Sequence, residues 1–202
     1  MISGVYGHFY TVERLARKCV SWLDPHVKHI DRRLRVLEPS IGCGTWAMAA
    51  QDLWGAHVTG IDIDPLAPGL PIANVPMVGD FLNIDETQKY DVVIGNPPKS
   101  VANKELTLQC LEKSLKCAPV VGLLMHPTTL VSLKRRKFWE ENPASRVIMI
   151  SENPRYYVDG KTPSEGLLKG AFFIWDSNWQ GYTEIEPRSW YDGPKYTPYG
   201  RP

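Results

Sequence analysis

Short apolar runs alternate with helix-like segments along most of this chain, and that alternation constrains its fold more than any other feature. Residues 34–38, 57–62, 75–78, 91–95 and 120–125 read as strands, and most of them are apolar on nearly every residue rather than on every second one. Such strands must be covered on both faces, which predicts a parallel sheet between two helical layers. Helices are expected over 11–23, with Thr11 as N-cap and Glu13 in the first turn, and over 45–53, 103–117 and 130–140. Residues 146–150 and 170–175 complete the set as strands. Only a loop separates those two, so the last is expected to enter antiparallel. A chain of 202 residues, 43% hydrophobic, suits one α/β domain with a substantial core.

The net charge is +1, so no global field advertises a polyanionic partner. Lys134-Arg135-Arg136-Lys137 is a local basic cluster that reads equally as a solvated helix face or a phosphate contact. No apolar run is long enough to span a bilayer, and the first residues lack the basic-then-apolar layout of a secretory signal. Cys19, Cys43, Cys110 and Cys117 show no metal-type pairing, which predicts reduced thiols and a cytoplasmic location. His26 and His29 have no cysteine partner nearby, so no metal is expected.

In parallel sheets, ligands bind beyond the carboxyl ends of the strands, near the point where strand order reverses. The chemistry-bearing motifs all fall at such ends. The strand at 91–95 opens into Asn96-Pro97-Pro98-Lys99. Two prolines fix φ and remove two donors, so the loop presents carbonyl oxygens and the Asn96 amide. An amide oxygen beside a carbonyl can accept both hydrogens of a planar –NH2 group.

Glu38-Pro39-Ser40-Ile41-Gly42-Cys43-Gly44 joins the first of the parallel strands to its helix. It is neither the three-glycine pyrophosphate fingerprint nor a phosphate loop. An acidic residue at that strand end repels a phosphate and suits a cationic ligand. About twenty residues on, Asp62 in Gly60-Ile61-Asp62-Ile63-Asp64-Pro65 stands where a carboxylate meets ribose hydroxyls in nucleotide-binding sheets, with Asp64 capping the following turn. Gly79-Asp80-Phe81-Leu82 then offers a carboxylate to an adenine amino group and an aromatic ring to stack on it.

In this order, the four motifs resemble the class I S-adenosylmethionine-dependent DNA amino-methyltransferases, with the adenine-N6 branch the nearest match, over residues 9–175. The resemblance implies a Rossmann-like fold: a mostly parallel seven-stranded sheet with an antiparallel last strand and helices on both faces. It implies S-adenosyl-L-methionine as cofactor. Its methionine end would be held by Glu38, Pro39, Ser40, Gly42 and Gly44 with Tyr10 and Thr11, its ribose by Asp62 beside Ile63, and its adenine by Asp80 and Phe81. Asn96, Pro97, Pro98 and Lys99 would form the catalytic loop, with Asn96 also bordering the cofactor. Lys99 departs from the family pattern, which has an aromatic there. Tyr156, Tyr157 or Phe138 would then supply a stacking platform, and Arg155, Tyr156 and Lys161 lie in the loop flanking the target pocket.

Residues 170–176 resemble the final strand of compact phage-type members that lack a separate target-recognition domain. The chain therefore reads as a catalytic domain over 1–176 and an aromatic- and Pro-rich extension over 177–202 packed on it. The expected activity is methyl transfer to an exocyclic amino group of DNA, adenine N6 foremost, in the cytoplasm (the host's, for a phage-encoded chain). Cytosine N4, an RNA base and a protein glutamine amide remain open, as does a catalytically inactive cofactor-binding subunit. A homodimer or partner subunit is equally compatible.

Overall fold

Strands apolar on both faces can be satisfied only at the centre of three layers, and the chain builds that arrangement. The computed structural model describes residues 9–83, 85, 90–98, 105–130, 133–158, 164–165 and 169–190. Lys99 and Lys161 lie outside the described residues.

In chain order the elements are β1 (Phe9–Thr11), α1 (Glu13–Ser21), α2 (Asp24–Val27), β2 (Arg35–Glu38), α3 (Thr45–Trp54), β3 (His57–Asp62) and β4 (Val75–Val78). Then come β5 (Val92–Gly95), α4 (Leu106–Cys117), β6 (Val120–Met125), α5 (Arg136–Glu141) and β7 (Arg146–Ile150). The chain continues through β8 (Arg155–Val158), β9 (Ser164–Glu165), β10 (Ala171–Asp176) and β11 (Glu184–Arg188).

The main sheet has the order β11-β7-β10-β6-β5-β2-β3-β4. β2 to β6 run parallel, and β10 enters antiparallel between β6 and β7 as expected. The sheet has eight strands rather than seven, because Glu184–Arg188 in the C-terminal segment pairs in parallel with β7. Pro187 cannot donate to a ladder, and an edge strand tolerates it.

Side chains along each strand alternate between two cores. Val36, Val92, Ile94 and Phe172 join the layer that holds α1 and α3, where Trp46 stacks on Phe172. Leu37, Val93 and Phe173 join the layer of α4, where Trp139 stacks on both Phe173 and Trp175. This is the physical reason for the continuous apolar runs.

Two expectations are corrected. Thr11 is not a helix cap. It ends β1, which pairs with β8 in a separate three-stranded sheet, and α1 starts after Val12 without a side-chain cap. The expected helix over 130–140 is broken into 3₁₀ turns at Pro127–Leu130 and Leu133–Arg135, followed by the short α5. Local bonds compete with helix there: Thr129 N–H donates to the His126 carbonyl at 3.0 Å, and Trp139 Nε1–H donates to the Thr129 carbonyl at 3.0 Å.

From β2 the chain steps outward through β3 and β4, then returns to β5 on the other side of β2. The order therefore reverses between β2 and β5, the position at which sheets of this kind form a ligand crevice beyond their strand ends.

Candidate active site

The strand order lines up the ends that sequence reasoning singled out. Across β5, β2, β3 and β4 they read Asn96, Glu38, Asp62 and, just past β4, Asp80. Ser40, one turn beyond β2, bridges the switch point by donating from its hydroxyl to the Asn96 main-chain carbonyl at 3.3 Å.

Glu38 is fully buried, and its Oε2 accepts from the Ala47 N–H at 2.8 Å, in the first turn of α3. Its Oε1 is shielded from solvent and has no hydrogen-bond partner among the described residues. Burial pushes the Glu38 carboxyl well above the usual carboxylate range; the Ala47 N–H opposes this and the Asp62 charge adds to it. Asp62 accepts from the Gly42 N–H at 2.9 Å through Oδ2 and from the Asp64 N–H at 3.0 Å through Oδ1. It thereby ties the end of β3 to the glycine loop. Asp64 in turn caps the next turn, accepting from the Leu66 N–H at 2.9 Å.

The glycines of this loop make room for the protein's own atoms. A Cβ on Gly42 would stand 2.8 Å from the Tyr10 ring, so that ring covers the loop. Gly44 has φ +82°, and a Cβ on it would approach the Gly69 Cα at 3.0 Å. Gly69 N–H closes the contact by donating to the Gly42 carbonyl at 2.8 Å. Ala67-Pro68-Gly69 was not singled out from the sequence, although its Pro-Gly pair marks a turn.

Asp80 is exposed and caps its own turn, accepting from the Leu82 N–H at 2.9 Å. Phe81 is buried in the core on the α4 side, so its ring is not presented as a stacking surface; Ile63, 53% exposed, is one of the open apolar side chains near that end, with Leu66 and Val78. Pro39 is buried beside Gly95, whose φ of +153° is a glycine conformation and turns the chain into Asn96. Asn96 is half-buried, Pro97 buried and Pro98 exposed. Thr107, in the first turn of α4, donates from its hydroxyl to the Pro98 carbonyl at 3.0 Å. The loop is therefore held from both sides, and neither bond uses the Pro97 carbonyl.

Tyr10 and Thr11 meet the target-loop candidates through backbone pairing: Thr11 stands opposite Tyr156, and the Val12 N–H donates to the Arg155 carbonyl at 3.3 Å. The Thr11 carbonyl also accepts from the Thr45 hydroxyl at 3.0 Å, which fastens this small sheet to α3. Arg155 is exposed. Tyr156 is corrected as a platform: its ring is 6% exposed within the core, where burial pushes its phenol well above the usual range. The basic cluster is largely neutralised locally, with Arg135 against Glu105 at 3.5 Å, Arg136 against Glu140 at 2.7 Å and Lys137 against Glu141 at 3.7 Å. His26 Nδ1 lies 2.8 Å from Asp176 Oδ2, at the opposite end of the sheet.

Three carboxylates at adjacent strand ends make the crevice acidic. One of them is fully buried with an unused oxygen. This set fits a ligand that carries positive charge together with hydroxyl and amine donors.

No family model matches the chain. Over 72 residues, 35% of this chain and 17% of the relative, it is 33% identical to the type II methyltransferase M.TthHB8I of Thermus thermophilus. Over 85 residues, 40% of this chain and 28% of the relative, it is 35% identical to the ribosomal protein L11 methyltransferase of Dechloromonas aromatica. The matches thus span less than a third of those relatives' length. Among solved structures it resembles a class I S-adenosylmethionine-dependent methyltransferase from Listeria monocytogenes, with TM-score 0.66 and 16% identity over 90% of this chain and 66% of that one. The methyltransferase subunit of a type I restriction-modification system from Streptococcus thermophilus gives TM-score 0.66 and 15% identity over 91% of this chain and 48% of that one. The fold is therefore that of the class I methyltransferases.

Proposed function

We propose that this chain binds S-adenosyl-L-methionine and transfers its methyl group to an exocyclic amino group in DNA, with adenine N6 as the favoured target. The observation that carries the reading is the junction of two half-sites: the acidic crevice of Glu38 and Asp62, and the Asn96-Pro97-Pro98 loop that Ser40 binds to it. The type II and type I restriction-modification relatives support a nucleic-acid substrate.

The unused Glu38 oxygen and the Gly42–Gly44 loop under Tyr10 would hold the methionine end, Asp62 and Ile63 the ribose side, and Asp80 the adenine. When bound, the cofactor supplies an electrophilic methyl on a sulfonium. An aromatic amine is a poor nucleophile because its lone pair is delocalised into the ring. Asn96 and the Pro97 carbonyl accept its two hydrogens, which favours a pyramidal nitrogen with its lone pair directed along one axis. Rate then comes from positioning and preorganised acceptors rather than from a strong base. A target in duplex DNA must first leave the stack, at a cost of roughly a few kcal/mol.

We read the extension that begins at residue 177 as part of this catalytic unit, a reading supported over residues 184–190 by the pairing of β11 with β7 and by the buried Trp190, whereas residues 191–202 lie outside the described residues. The buried Cys19, Cys110 and Cys117 support a reducing, cytoplasmic setting. Among the described residues, no helix is long and apolar enough to cross a membrane.

The test is methyl transfer from labelled cofactor to separate DNA, RNA and protein fractions, followed by nucleoside analysis. N6-methyl-2′-deoxyadenosine in the DNA fraction is expected. Label in N4-methylcytosine, RNA or protein amide moves the assignment to that substrate. Binding without transfer to any fraction leaves a cofactor-binding subunit.

A further inference from the structure

His126 follows β6 as Asn96 follows β5: a polar residue, then a proline, at the end of an apolar strand (Met125-His126-Pro127 and Gly95-Asn96-Pro97). The two strands are neighbours, with Gly95 opposite Leu123. Strand rise and spacing then put the His126 and Asn96 backbones about 8 Å apart. By strand order His126 follows β6, on the side of β5 away from β2 and β3, which carry Glu38 and Asp62.

The imidazole is held in one tautomer. Its Nδ1 accepts from the Thr128 N–H at 3.2 Å and lies 2.6 Å from the Thr128 hydroxyl. A nitrogen that accepts a backbone N–H carries no proton, so the neutral ring bears its hydrogen on Nε2. The turn itself is pinned, since the Thr129 hydroxyl donates to the His126 carbonyl and Trp139 holds the Thr129 carbonyl. His126 is half-buried. It therefore offers one N–H donor at the end of the strand next to the one that carries the Asn96-Pro97 loop.

We propose that His126 reads the target base: its Nε2–H donates to the ring nitrogen adjacent to the amino group that Asn96 and Pro97 hold. Donor beside acceptors is the complement of the adenine N1/N6 edge. The cytosine N3/N4 edge carries the same pattern, so this contact selects an amino group with an acceptor ring nitrogen beside it and disfavours guanine only where its N1–H faces the imidazole. The proposal rests on the amino-methyltransferase reading above and makes His126 a base-reading contact of that site.

The test uses random-sequence single-stranded oligonucleotide pools in which adenine is retained, replaced by 7-deazaadenine (N1 kept) or replaced by 1-deazaadenine (N1 lost). Methylated nucleosides are quantified by mass spectrometry for the wild type and for His126→Ala, with cofactor binding measured for each. Wild type is expected to accept 7-deazaadenine within about threefold and to lose roughly tenfold on 1-deazaadenine, the size of one hydrogen bond to a buried partner. His126→Ala is expected to lose roughly tenfold on adenine, to lose nothing further on 1-deazaadenine, and to bind cofactor normally. Thr128→Val, which keeps the backbone donor, gives an intermediate penalty. If His126→Ala pays the same 1-deaza penalty as wild type, or wild type pays none, the proposal falls while the methyltransferase reading stands. If wild type binds cofactor but methylates no pool, both fall.

Discussion

The Ser40 hydroxyl donates to the Asn96 main-chain carbonyl at 3.3 Å, and that bond joins the glycine-loop side of the crevice to the Asn-Pro-Pro loop. Ser40→Ala removes the bridge but neither half-site. We expect a roughly two- to fivefold fall in kcat with a smaller change in the cofactor Kd, because a long neutral hydrogen bond contributes no more than about 1 kcal/mol. Steady-state methylation together with calorimetric titration checks it.

Asn96→Ala removes one of the two acceptors for the amine hydrogens. Transfer is expected to fall by two orders of magnitude or more, as for loss of a preorganised polar group in other active sites, with cofactor binding retained within about threefold. Full rate in Asn96→Ala would overturn the mechanism.

Asp62 joins the glycine loop through the Gly42 N–H and organises the next turn through the Asp64 N–H. Asp62→Ala therefore loosens the loop as well as removing a ligand for hydroxyls. Cofactor affinity is expected to drop about tenfold or more, whereas Asp62→Asn, which keeps one acceptor oxygen, loses less. Titration of the variants against S-adenosyl-L-methionine distinguishes the two.

Glu38 predicts a pH dependence with a definite sign. Burial raises its carboxyl well above the ordinary range, so the free protein retains this proton where an exposed glutamate would have lost it. A folded-state value above the unfolded one means that stability is lost as pH rises through the folded value. A cationic ligand favours the ionised form, so cofactor binding expels a proton and tightens as pH rises across the same window. Glu38→Gln should flatten both slopes; calorimetry in buffers of different ionisation enthalpy reads the proton released.

At the other end of the sheet, Asp91 accepts from Arg32 at 2.7 and 2.6 Å and from the Arg35 N–H at 2.8 Å. Burial alone would raise its carboxyl, but the Arg32 and Arg35 donors and charges outweigh burial and hold it below the usual range. Its contribution is present above the unfolded value and lost as pH falls through the folded one. Asp91→Ala should lower stability in urea unfolding at neutral pH, because the Arg35 N–H loses its acceptor and the half-exposed Arg32 and Arg35 lose their ion pairs, with no direct effect on the crevice.

The parallel sheet was legible because residues 92–95 and 120–125 are apolar throughout, a pattern that only double-sided burial satisfies. β1, β8 and β11 were not. Each is short and carries polar residues, and each exists only through a partner distant in the chain, as Thr11 does opposite Tyr156 and Glu184 opposite Arg146. Phe81 and Tyr156 show the same limit at the level of side chains. Their type suits stacking on a base equally well as filling a core, and packing decided for the core.

Local chemistry along the sequence thus determined the strand–helix alternation, the carboxylates at three strand ends and the rigid Asn96-Pro97-Pro98 loop, because each depends on residues adjacent in the chain. Tertiary structure alone decided that Ser40 reaches Asn96, that Asp62 holds Gly42 and that Glu38 is sealed from water. It also brought the ends of β5 and β6, which lead into Asn96 and His126, to neighbouring positions at one edge of the sheet. Those relations depend on strand order and burial, which residue spacing does not encode.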